Sequence, residues 1–127
     1  MDEPFDIEIE PEVRLWLMNR SDADYLVAEH AVGLLLGSPT TLGEPYSRHF
    51  GDGVRELRFG IGRSRDAVRI SYWLAPARRI VLLTVFRKTR QREDGEVIRA
   101  KAAKQRCKAE HGPATDIYTR DTKDGAP

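Results

Sequence analysis

The sequence predicts an α+β domain: a small, mixed but mainly antiparallel sheet of four strands with helices packed on it. Three observations carry this reading. The chain opens on a period-two stretch, "FDIEIE". Three more strand-like stretches follow one another between residues 54 and 86. Two helical patterns precede those three and one follows them.

Each element has a local reason. Phe5, Ile7 and Ile9 alternate with acidic residues and give the first strand. Pro11 suits the first position of a short helix over "PEVRLWLMN", where its missing N–H is no loss. A second helix starts at Ser21 or Asp22 and stops at Gly37, with Pro39 beyond. Tyr25, Leu26, Ala28, Val32, Leu35 and Leu36 give that helix its apolar face. Residues 37–53, rich in Gly, Pro and Ser, read as a loop. "VRELRF" sets Leu57 and Phe59 against Glu56 and Arg58. "AVRISYWL" sets Val68, Ile70, Tyr72 and Leu74 against Arg69, Ser71 and Trp73. "RIVLLTVF" is apolar on both faces, as an interior strand is. "APAR" joins these last two strands as an antiparallel hairpin. The pattern from Asp94 to Glu110 is helical, and "HGP" stops it. The domain is expected over residues 1–112, with 113–127 a polar, flexible tail.

If the helices gather on one face, the other carries Arg58 and Arg69. The third of the clustered strands then delivers Arg87 or Lys88 to the same edge. Which of the two faces inward depends on register, which the pattern leaves open.

Composition excludes several classes. The 127 residues are 40% apolar and 32% charged, as expected of one globular domain. No apolar run reaches the ~18 residues of a membrane span, and the acidic start fits neither a signal nor a transit peptide. The single cysteine, Cys107, allows no internal disulfide, and a reducing cytoplasm fits it. His30, His49 and His111 lack metal-ligand spacing, so neither a metal nor another cofactor is expected.

The net charge of +1 hides a segregation. Residues 1–54 hold 11 acidic and 3 basic side chains, residues 55–108 hold 5 and 16, and residues 109–127 hold 4 and 2. The segments therefore carry −8, +11 and −2, which sum to the whole. Polyanions are the natural partners of the middle segment, and its arginines suit bidentate phosphate contacts.

The stretches "GSPTTLGEPYSRHFGDGVRELRF", "AVRISYWLAPARRIVLLTVFRKT" and "EVIRAKAAKQR" resemble the RelE/HigB superfamily of bacterial toxins, in its phage-derived, HigB-like branch. The shared features fall on Glu56, Leu57, Arg58, Arg69, Phe86, Lys88 and Thr89, and the resemblance covers roughly residues 5–110. Where many relatives have two lysines before the threonine, this chain has Arg87 and Lys88. The resemblance implies a RelE-like fold, with two N-terminal helices on one face of the sheet and a C-terminal helix. It implies an mRNA endoribonuclease acting on translating 70S ribosomes, restrained by a helix-turn-helix, HigA-like antitoxin. A non-catalytic RNA- or partner-binding module is the alternative, and a gyrase-directed toxin is a third.

Metal-independent RNA cleavage uses the ribose 2′-hydroxyl as nucleophile. The protein must align it, stabilise charge on the phosphorane and protonate the leaving 5′-oxygen. Arg58, Arg69, Arg87 and Lys88 are the candidate catalytic cations. Lys88 is either a general acid or a phosphate contact. Glu56 and His49 are the candidate acid/base groups; a cross-strand ion pair is the plainer role for Glu56 and a surface loop position for His49. Arg55, Trp73, Arg90 and Arg92 are the candidate RNA contacts, with Trp73 either stacking a base or packing under a helix.

Overall fold

The computed structural model describes residues 4–89, 93–110 and 116–117. Its elements run β1 (Asp6–Ile9), α1 (Pro11–Met18), α2 (Asp22–Gly37), β2 (Ser47–His49), β3 (Val54–Ile61), β4 (Asp66–Ala75), β5 (Arg79–Arg87), α3 (Asp94–Glu110) and β6 (Asp116–Ile117). The helix boundaries follow the sequence signals. Pro11 opens α1, and the Ser21 hydroxyl caps α2 by accepting from the Asp24 N–H at 3.2 Å.

All the strands form one mixed sheet in the order β2-β3-β4-β5-β1-β6, so it is wider than the four strands expected. The two extra strands are short: β2 has three residues, in the stretch read as loop, and β6 has two, in the stretch read as tail. Neither is long enough to show a period. β1 runs parallel to β5, and every other pairing is antiparallel.

The helices cover both faces. On one face Val13 and Leu17 of α1 and Ala28, Val32 and Leu35 of α2 meet Ile7, Ile9, Leu57, Ile70, Tyr72, Ile80 and Leu82. On the other, Ala103 and Cys107 of α3 meet Trp73, Ala75, Val81 and Leu83. An interior strand that is apolar on both sides requires cover on both. The expected bare basic face is therefore half occupied by α3. The apolar face of α2 is also narrower than its leucines suggest, since Leu26 and Leu36 are exposed. No helix among the described residues is long and apolar enough to cross a membrane.

One irregularity in β5 sets up everything that follows. Ile70 pairs with Val85 and Ser71 with Thr84, but Tyr72 pairs with Leu82. The register shift marks a β-bulge, which leaves Leu83 and Thr84 on the same face. Ahead of the bulge, Ile80 and Leu82 face α1 and α2; beyond it, the residues on that side are Val85 and Arg87.

Beyond the end of β1, the β5 edge is closed by side chains. Glu12 of α1 accepts from the Val85 N–H at 2.9 Å, and Arg99 of α3 donates to the Val85 carbonyl at 3.3 Å. Glu12 and Arg99 are themselves ion-paired, so the two helices are joined across the strand. The Glu12 contact is the main reason the Arg99 guanidinium is held above its ordinary pKa. Glu12→Ala leaves the Val85 N–H and one arginine without this acceptor, and is expected to lower stability by about 1–3 kcal/mol. Urea denaturation measures this; a midpoint equal to wild type would refute it.

Candidate functional site

Beside α3, the second face of the sheet opens into a cleft of about 260 Å³. Its walls come from β2 and the residue after it (Arg48, Phe50), from β3 (Glu56, Arg58) and β4 (Arg69), from the end of β5 (Phe86, Lys88) and from α3 and the residue before it (Glu93, Asp94, Val97). Strand alternation explains the selection. Arg58 is the direct partner of Arg69, Arg69 of Phe86, and Arg48 of Glu56, so these side chains share one face.

The centre of the cleft is an arginine pair. Like charges directly opposite on neighbouring strands repel, and burial strengthens the repulsion. Arg69 is only 9% exposed. Glu56 is ion-paired with both: its Oε1 lies 3.7 Å from Nε of Arg58 and 3.7 Å from Nε of Arg69. That distance gives attraction but no hydrogen bond. Both Nε atoms are buried and have no hydrogen-bond partner. Arg69 does donate through its terminal nitrogen to the Val68 carbonyl, at 3.1 Å. Burial first, and then the charge of Arg58, push the Arg69 guanidinium below its ordinary pKa, while Glu56 pulls the other way. Two adjacent guanidiniums that share Glu56 and leave their Nε donors unused favour an anion with several acceptor oxygens.

The bulge decides between the two cations at the end of β5. Phe86 pairs with Arg69 and faces the cleft, and Lys88 follows in phase with it. Arg87 pairs with Val68 on the opposite face and lies 3.7 Å from Asp66. Of the four cations expected to be catalytic, the structure thus brings Arg58, Arg69 and Lys88 together and leaves Arg87 out.

Three other residues expected at the site lie away from the cleft. His49 pairs with Arg55, one residue out of phase with Arg48 and Glu56, so both turn from the cleft. Arg55 instead faces the buried Tyr72, whose hydroxyl it helps to hold together with Ser47. Trp73 is 8% exposed beneath α3, with Lys104 Nζ 5.0 Å from its ring centroid, so no ring face is left for a base. Arg90 and Arg92 lie outside the described residues.

Arg48 and Phe50 are absent from the sequence-based expectations because β2 falls in a stretch that reads as loop, and Phe86 enters them only as part of a motif. Half-buried beside Arg69, Phe86 is the aromatic that the cleft offers, and Phe50 is the second. The signal for Arg48 was present: "SRHF" before a glycine-rich turn and "VRELRF" after it is a hairpin pattern.

The family model of the phage-derived Gp49-like proteins (DUF891) matches residues 16–108, which is most of the chain and contains every described residue of the cleft. No curated protein matches the chain.

Proposed function

We propose that this chain, which belongs to the phage-derived Gp49-like family (DUF891), a RelE/toxin-like family, is the toxin of a toxin–antitoxin pair and cleaves mRNA. The supporting observation is the Arg58–Arg69 pair, whose buried Nε atoms have no hydrogen-bond partner and both lie 3.7 Å from Glu56. Two like charges held side by side are unfavourable on their own, and a phosphate drawn to the exposed parts of the cleft offsets that repulsion.

The chemistry assigns roles to the cleft. The ribose 2′-hydroxyl gives up its proton to water and its oxygen attacks the adjacent phosphorus while the bond to the 5′-oxygen breaks, leaving a 2′,3′-cyclic phosphate and a 5′-hydroxyl. Charge builds on the non-bridging oxygens, where Arg58 and Arg69 are already fixed on neighbouring strands. Glu56 keeps the two guanidiniums apart and aimed. Lys88, on the same wall, is placed to protonate the leaving 5′-oxygen. Phe86 and Phe50 offer ring faces to the flanking bases. The ribosome presents the message, as in the HigB-like branch of the superfamily, and the antitoxin is a helix-turn-helix protein. The cytoplasm is the site of action.

Purified protein added to a translation reaction is expected to cut mRNA at discrete positions that primer extension maps. Intact message would overturn the reading. RNA bound without being cut would favour a non-catalytic binding module instead.

A further inference from the structure

The cleft has two walls that the sheet alone does not join. Phe50 stands just beyond β2, and Val97 lies on α3. They are linked through the turn between β2 and β3. Gly51, Asp52 and Gly53 all have positive φ, at 104°, 57° and 74°. The Val54 N–H closes this turn on the Gly51 carbonyl at 2.9 Å. Lys101 and Lys104 follow Val97 at helical spacings of four and three, so the three residues lie on one side of α3. Lys101 Nζ lies 3.4 Å from the Asp52 carboxylate, and Lys104 Nζ donates to the Asp52 carbonyl at 2.6 Å. The other side of Lys104 rests on the Trp73 ring.

The two glycines serve this contact as well as the turn. A Cβ on Gly51 would lie 3.2 Å from Lys101 Nζ, and one on Gly53 would lie 3.0 Å from Lys104 Nζ. Bare backbone on both sides of Asp52 admits both ammonium groups. The same turn sets the position of Phe50, whose N–H donates to the Val54 carbonyl at 3.1 Å.

We infer that Asp52, Lys101 and Lys104 are positioning residues: they clasp the β2–β3 turn to α3 and thereby fix the width of the cleft between Phe50 and Val97. The inference rests on the RNA reading of the cleft and adds the device that shapes it. Lys101 and Lys104 are then engaged with the protein and are not a track for RNA.

Asp52→Asn separates these two roles. Asparagine tolerates the positive φ, and the change makes the protein more positive by one charge. A lysine track would bind RNA equally well or more tightly. A clasp loses one of its two contacts, and affinity for a short RNA blocked by 2′-O-methylation is expected to fall about threefold, on the scale of one exposed ion pair. Lys101→Met with Lys104→Met is expected to lower affinity about tenfold, and Lys101→Arg with Lys104→Arg to restore most of it. Lys108→Met removes a charge from the same helix and serves as the control, with less than a twofold effect expected. Hydrogen exchange over residues 47–53 is expected to quicken in Asp52→Asn and in the double methionine variant. Equal or tighter RNA binding by Asp52→Asn, or a loss in Lys108→Met matching that of the double variant, would overturn the clasp. If the wild type binds no RNA, the RNA reading falls and exchange decides the clasp alone: unchanged exchange refutes it.

Discussion

Arg69→Met is expected to slow RNA cleavage by about 10²–10³-fold while leaving the folded protein at least as stable as the wild type. The first half follows from transition-state charge. Removing one fixed donor to a developing oxyanion typically lowers the rate by about 10²–10³. The second half follows from the resting cleft. Arg69 is buried, faces Arg58 directly and has an Nε without a hydrogen-bond partner. Its burial already disfavours the charged form. Methionine fills similar space, removes the repulsion and leaves Glu56 to pair with Arg58 alone. Replacing a buried charge by a fitting apolar side chain is often neutral or stabilising by about 1–4 kcal/mol. Thermal denaturation and a cleavage assay on the same preparation test both halves. A midpoint several degrees below wild type would show that the arginine pair serves the fold rather than an anion.

The second large effect concerns the end of β5. Lys88→Ala is expected to slow cleavage by about 10²-fold, the scale of a general acid, whereas Arg87→Ala is expected to change it less than threefold, as an exposed ion-pair residue would. The two cations are adjacent, so net charge falls equally in both variants. Arg87 is exposed beside Asp66 on the far face, and Lys88 lines the cleft. Equal losses in the two variants would mean that the segment acts only through its summed field. If Lys88 is a proton donor, Lys88→Arg keeps RNA affinity and loses rate.

Much of the fold was legible because its signals are local. The Pro11 start, the Ser21 cap, the Gly37 stop and the two-sided apolar run of β5 each act within a few residues. The shared face of Arg58 and Arg69 was legible for a similar reason, since each lies opposite the apolar positions of its strand; their direct pairing came from the register. β6 was not legible, because a strand of two residues has no period and forms only where an edge is offered to it, and β2, with three residues, was marked only by the hairpin turn that follows it. Trp73 was ambiguous for a different reason. It shares a face with Arg69, and only the path of α3 separates the covered end of that face from the open one.

The sequence by itself determined an α+β domain with its positive charge concentrated in the second half, and it narrowed the cations of the site to a handful. Tertiary structure alone decided between Arg87 and Lys88. Strict alternation from Ile80 and Leu82 would put Lys88 on the α1/α2 face and Arg87 in the cleft. The bulge at Leu83 and Thr84 reverses this, because an extra residue shifts every later side chain to the other face. No periodicity in "RIVLLTVFRK" reports that reversal, since residues on both faces of the strand are apolar and either register would bury them.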